Sequence, residues 1–427
     1  MFFDRFDPAD VDPRHLVERQ RDRRWLTEIL SRYLALEGPP TGRAVCVSGL
    51  KGVGKSILTR AVLDDLRRTH GANTLFLMVD CRACHARRGV LRAVANAVVR
   101  ELDALRRATA PVPDALMATA QLMRTIARFD DVSVRVAHEQ TRQFRGAVAL
   151  STHGLLDALK LTFGLALGLP DKQIKALTGA VRIDDTGLTE ALVALLGDLR
   201  AQGFGVVLYL DNIDELRHGE FNDGSARQAV RRDVEGVLAL KAAPIGLVLN
   251  MRTYYTGVIP REISNTRVLR PLEAPALQAI LHRRMLDERA GIREALARPE
   301  SQAVLEVLAR MAPTPLAFLR WVKFLFEEGM FDLALLDDGL REFLGSYYSN
   351  VDLETLSGVA WAFERPDRAV DHGALLAACH GNLALLEHLQ GRQVVLPRDF
   401  WNPTQFTLDP ELYFLHPSVR GPGAQAI

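Results

Sequence analysis

Gly49-Leu50-Lys51-Gly52-Val53-Gly54-Lys55-Ser56 fits the pattern G-x-x-x-x-G-K-[ST]. In that pattern glycines let backbone N–H groups turn inward around phosphate oxygens. The flanks decide whether the match has meaning. Directly before it, Ala44 to Ser48 (AVCVS) reads as a short buried strand. Directly after it, Ile57, Leu58, Ala61, Val62, Leu63 and Leu66 recur at helical spacing. Strand, glycine loop and helix follow in the order phosphate binding needs, and the helix N-terminus adds a favourable dipole. Lys55 can reach the β- and γ-phosphates of a nucleotide, and the Ser56 hydroxyl can ligate Mg²⁺. The loop predicts a nucleotide site formed by Gly49, Leu50, Gly52, Val53, Gly54, Lys55, Ser56 and Ile57.

A second stretch supports the first. Val206 to Leu210 is an apolar strand ending in Asp211. A carboxylate at that strand end, beside the loop, would hold Mg²⁺ through its water shell. Thr74–Asp80 reads as a second buried strand, Ile245–Leu249 as the fourth core strand and Thr266–Leu269 as a short fifth, and Gly89 to Arg107 as a helix with Leu91, Val94, Val98, Leu102 and Leu105 inward. Strands alternating with helices predict an α/β fold with a parallel sheet.

Composition narrows the function classes. The chain has 427 residues, enough for two to four domains, with 48% hydrophobic and 25% charged residues and a formal net charge of +1. So balanced a charge gives no global attraction to nucleic acid or acidic lipid. The segment Met1 to Asp12 does not fit a signal peptide. No apolar run reaches the ~20 residues of a membrane span, and a cytoplasmic location without a membrane span is expected. Cys81-Arg82-Ala83-Cys84-His85 matches C-x-x-C-H, the haem-attachment pattern. With only Cys379-His380 as a distant second pair, these read as incidental residues after a strand.

Three further stretches carry a resemblance. His15-Leu16-Val17-Glu18-Arg19 precedes a helix marked by Trp25, Leu26, Ile29, Leu30, Tyr33 and Leu34. It resembles the h-V-G-R-E box of STAND ATPases and origin-recognition-type AAA+ proteins, which lies against the adenine. Val17 and Arg19 match, and Glu18 stands at the glycine. Asp211-Asn212-Ile213-Asp214-Glu215 resembles the NACHT branch of STAND ATPases, with Asn212 where glycine is commonest. Many AAA+ proteins place a catalytic glutamate at the position of Asn212. The resemblance implies instead that Asp214 and Glu215 polarise the attacking water, with Lys55 on the phosphates. Met311 to Leu319 (MAPTPLAFL) resembles the lid box G-x-P-L-x-L, in which Pro315 would pack on adenine. By the same resemblance, Asn250 and Arg252, after the fourth strand, would sense the γ-phosphate. Arg227, Arg231 and Arg232 form either a surface cluster or a source of an arginine finger.

The expected architecture is a P-loop ASCE NTPase core with a parallel sheet, a helical lid and a C-terminal winged-helix-like domain. Residues 1–40 form the adenine-side box and 41–270 the core, with an insertion at about 111–186. Residues 271–330 form the lid and 331–427 the last domain. In that domain helices are expected near Leu353–Phe363, Gly373–Ala378 and Asn382–Leu389, and strands at Val394–Leu396 and Leu412–Leu415. It carries six Arg, no Lys and thirteen acids, which opposes DNA phosphates. The resemblance implies a switch that binds ATP and Mg²⁺, exchanges ATP and ADP, hydrolyses slowly, and engages a protein partner or assembles with itself, in signalling or defence. An origin-recognition-like ATPase acting on DNA is the alternative, and a small-molecule kinase a third.

Overall fold

The computed structural model describes residues 3, 6–10, 12–35, 41–70, 73–84 and 89–108, and scattered positions from 112 to 120. It also describes 185–213, 234–252, 263, 265–349, 351–392, 394–397 and 404–420. Most of the expected insertion, Arg227, Arg231, Arg232, Asp214 and Glu215 lie outside these residues.

Five strands form one parallel sheet: β1 (Arg43–Gly49), β2 (Thr74–Asp80), β3 (Gly205–Asp211), β4 (Gly246–Arg252) and β5 (Asn265–Leu269), in the order β2-β3-β4-β1-β5. β3 and β4 are buried along their whole length, as expected of strands covered on both faces. One face packs α1 (Gln20–Leu34) and α2 (Lys55–His70) through Leu26, Leu30, Leu58, Val62 and Leu66. The other packs α3 (Gly89–Arg107) and α4 (Asp185–Ala201) through Val94, Val98, Leu192 and Leu195. Because β1 lies inside the sheet, the loop after it opens at the sheet's C-terminal edge beside the ends of β3 and β4. The fourth strand runs longer than its apolar core suggested: Asn250 and Arg252 pair with Val47 and Gly49 in register, so both belong to the strand.

The lid contains α5 (Ala274–Arg284), α6 (Ala290–Leu296), α7 (Pro299–Met311) and α8 (Pro315–Glu327). α9 (Leu336–Tyr347) follows, a helix beyond those expected. α10 (Leu353–Trp361), α11 (His372–Ala378) and α12 (Leu383–Gly391) then precede a small antiparallel sheet. Asp352, Asp371 and Asn382 cap these three helices through bonds to Thr355 N, Ala374 N and Leu385 N. The sheet orders β6 (Val370–Asp371), β8 (Gln405–Leu408) and β7 (Val395–Pro397). Three helices and a hairpin make this a winged-helix-like unit.

Leu412–Leu415 is not the second hairpin strand. That role falls to β8, and Pro410–Leu415 forms a 3-10 helix. Asp409 caps it by accepting from Glu411 N at 3.0 Å, and Pro410 opens it. Proline has no N–H for a ladder but suits a helical first turn. Lid and C-terminal helices share one apolar core, in which the rings of Trp321 and Phe414 meet edge to face at 5.2 Å. Phe3 and Phe6 enter the same core from the N-terminus. Lys323 Nζ donates to Phe6 O at 3.0 Å, and Arg284 donates to Asp7 O and Asp10 O, both at 2.6 Å. The N-terminal strap is thereby fastened across the lid. Among the described residues no helix is long and apolar enough to cross a membrane.

Candidate nucleotide site

The loop after β1 needs glycine where the backbone turns. Gly52 has φ 77° and Gly54 φ 101°, conformations that side-chain-bearing residues rarely adopt. A Cβ on Gly54 would meet nothing within 4 Å, so the φ alone demands glycine there. A Cβ on Gly52 would lie 2.4 Å from Leu316 Cβ, so the lid presses directly on the loop. Lys55 Nζ donates to Gly49 O at 3.2 Å and Leu50 O at 3.0 Å, which poises the ammonium over the loop.

Asp211 is 5% exposed, and its Oδ1 gathers three donors: Ser56 Oγ at 2.9 Å, Asn212 N at 3.1 Å and Asn250 Nδ2 at 3.3 Å. Two hard oxygen ligands, Ser56 Oγ and Asp211, thus face each other beside the loop. This is a donor set suited to Mg²⁺, which keeps several waters and takes one or two protein oxygens. Asn250 is fully buried. It also donates to Tyr209 Oη at 2.7 Å and accepts from Thr59 Oγ1 at 3.2 Å. Burial, together with the Asp211 carboxylate, pushes the Tyr209 phenol well above its ordinary range.

A cavity of about 300 Å³ opens here. Its floor is Lys51 to Ile57, and one wall is Asp211, Asn212 and Arg252. The lid supplies Pro315, Leu316, Leu319 and Arg320, and the N-terminal segment supplies Asp10, His15, Val17 and Arg19. Of the expected site residues, Val17, Arg19, Gly52, Val53, Gly54, Lys55, Ser56, Ile57, Arg252 and Pro315 line this space together. Gly49 and Leu50 shape the loop from behind. Asn250 lies beneath the cavity and reaches it only through Asp211.

Two departures from the family pattern resolve in the backbone. Glu18 has φ 52° and Asn212 φ 55°. Both adopt the left-handed conformation that favours glycine. Arg19 is buried, and its guanidinium donates to Val53 O at 3.1 Å and Arg270 O at 2.8 Å, so it braces the loop backbone. Burial lowers its pKa, opposed by Asp22.

Several residues of the site carried no motif. Arg60 lines the cavity one turn beyond Ser56, with its guanidinium 4.0 Å from Asp211 Oδ2; helical spacing could have found it. Lys51 sits inside the loop motif at an unspecified position. Its Nζ donates to Asp409 Oδ2 at 2.8 Å and lies 3.8 Å from Glu411 Oε1. Glu411 in turn accepts from Arg320 of the lid. Nothing in the local sequence around Asp409 signals this contact.

Residues 15–222 match a family described as "AAA ATPase domain". No curated protein matches the sequence. Among solved structures, the chain is similar to the ORC2 protein of Aeropyrum pernix in its ADP form, at 16% identity. That match covers 96% of this chain and 95% of that chain, with a TM-score of 0.46. It is also similar to Cdc6p of Pyrobaculum aerophilum, at 14% identity over 98% of both chains, with a TM-score of 0.43. The glycine loop, the oxygen pair beside it and the matched span of sequence agree, and residues 15–222 form an AAA ATPase domain of the AAA+ P-loop class.

Proposed function

We propose that this chain is an ATP·Mg²⁺-dependent molecular switch of STAND-like character, in which docking of the C-terminal domain competes with a triphosphate in the loop. The contact of Lys51 with Asp409 carries this reading. Asp409 is 1% exposed and Glu411 3%. These buried carboxylates neutralise Lys51 of the loop and Arg320 of the lid, two cations that line the nucleotide cavity. Incoming phosphate oxygens attract the same cations and repel the two carboxylates. ATP then has different affinities for docked and undocked forms, which is the requirement for a ligand to shift such an equilibrium. The undocked form would expose a surface for a protein partner or a second copy, in signalling or defence. Lys55 would hold the phosphates, Ser56 and Asp211 the Mg²⁺, and Val17 and Pro315 the base.

A DNA-directed role is less well supported. The candidate recognition helix Leu383–Gly391 carries Glu387 and no Arg or Lys, with Arg392 just after it, and phosphate contacts dominate DNA affinity. The test is exchange of a fluorescent ADP analogue for ATP on the full chain. Asp409→Asn with Glu411→Gln should raise relative ATP affinity by about tenfold, within the usual range of coupling between sites. Unchanged exchange in that double variant would refute the switch. Submicromolar, salt-sensitive binding of duplex DNA by the full chain would favour the DNA role.

A further inference from the structure

Asp80 ends β2 directly opposite Asp211 at the end of β3 in the parallel register. Side chains in register on neighbouring strands share a face. Here that face carries Phe76 and Met78 from β2 and Val207 and Tyr209 from β3, and it is covered by α1 and α2. Asp80 and Asp211 are therefore side by side on the nucleotide side of the sheet's C-terminal edge, one strand spacing of about 4.8 Å apart. Asn212 Nδ2 donates to Asp80 Oδ1 at 3.1 Å, and Arg82 Nη2 donates to Asp80 Oδ2 at 2.8 Å. Both partners line the cavity, and the Asp80 side chain keeps 40% of its surface exposed. Asp80 itself stands behind these two partners, one hydrogen bond from the cavity lining through Asn212.

An amide cannot take a proton from water at neutral pH, so Asn212 cannot act as a base beside Asp211. Its hydrogen-bonded partner can. We infer that Asp80 is the carboxylate that accepts the proton of the attacking water in ATP hydrolysis, with the Asn212 amide holding that water. The inference rests on the ATPase reading of the site. In the step, the water oxygen bonds to the γ-phosphorus, and the bond from that phosphorus to the β,γ-bridging oxygen breaks. ADP leaves with the electron pair, and the proton passes to Asp80 and then to phosphate or solvent. Arg82 holds the carboxylate in place, and ATP and water supply every atom of the balance. The carboxylate thus stands at the end of β2 and the amide just after Asp211 of β3.

Asp80 also accepts from Arg82 N at 3.1 Å, capping the turn Cys81–Ala83. A residue serving only as a cap would not respond to exchange with Asn212, and this separates the two roles. On the full chain, ATP·Mg²⁺ affinity is measured by titration calorimetry and turnover by phosphate release. Asp80→Asn should leave affinity within about threefold and lower turnover about 100-fold, the lower end of what a general base contributes. Adding Asn212→Asp to Asp80→Asn returns a carboxylate to the pair and should recover turnover to within about tenfold of wild type. Asn caps a helical turn as well as Asp does, so Asp80→Asn keeps the Cys81–Ala83 cap, and its retained ATP·Mg²⁺ affinity shows that the variant folds. Wild-type turnover in Asp80→Asn overturns the inference. So does failure of the exchanged pair while Glu215→Gln alone abolishes turnover. A wild-type chain that binds no ATP would overturn the ATPase reading itself, an outcome distinguishable because Asp80→Asn leaves binding intact.

Discussion

Asn250 Nδ2 lies 3.3 Å from Asp211 Oδ1, and both side chains are buried. Asn250, expected to sense the γ-phosphate, stands behind the carboxylate and fixes its orientation toward Ser56. Outer groups that orient a metal ligand typically matter by 10–100-fold in metal affinity or activity. Asn250→Ala should therefore weaken Mg²⁺-dependent ATP affinity by about tenfold or more, while metal-free nucleotide binding changes little. Equal weakening with and without Mg²⁺ in calorimetry would contradict this role.

Lys55→Ala removes the ammonium over the loop and should abolish ATP binding. At about 100 times its dissociation constant, ATP should stabilise the wild-type chain by roughly 2.7 kcal/mol. That melting shift should vanish in the variant and shrink in Asp211→Ala. A variant melting shift equal to that of wild type would show that the loop does not hold the phosphates.

Gly52→Ala should separate lid and loop. The new Cβ meets Leu316 Cβ at 2.4 Å, and Leu316 N donates to Gly52 O at 3.4 Å. Overpacking with a positive φ costs about 1–3 kcal/mol. Cleavage of the lid by a protease should accelerate, and identical digestion patterns would argue against a tight lid contact.

Glu18 at φ 52° holds backbone strain that glycine would relieve. Glu18→Gly should raise stability by up to about 1 kcal/mol, the lower end of the left-handed penalty, because glycine's greater unfolded-state freedom offsets part of the gain. A clear loss of stability by urea titration would mean that the Glu18 side chain contributes something the backbone does not reveal.

Burial, and secondarily the Arg284 guanidinium, hold His15 below its ordinary pKa of 6.5. A depressed histidine favours the folded state fully above the unfolded pKa and loses that advantage as pH falls through it. Melting temperature should therefore decline between pH 7 and pH 5 more in the wild type than in His15→Gln. Parallel declines would place the acid sensitivity elsewhere.

Much of the core was legible locally. Gly49 to Ser56 and Val206 to Asp211 carry fixed spacings, and the strand and helix periods around them depend only on neighbours in sequence. The α3 boundaries and the three C-terminal helices followed for the same reason. Leu412–Leu415 misled because four apolar residues have no period that separates a strand from a tight helix, and Pro410 was the deciding signal. What the sequence by itself determined is the glycine loop between β1 and α2, the acidic end of β3 at Asp211 and the alternation of strands and helices, since each is set by residues within a few positions of one another. Only the tertiary structure decided that Lys51 meets Asp409, 358 positions away, and that Asp80 of one strand holds Asn212 of the next. Such contacts depend on strand order and domain docking, which bring together residues that no local pattern relates.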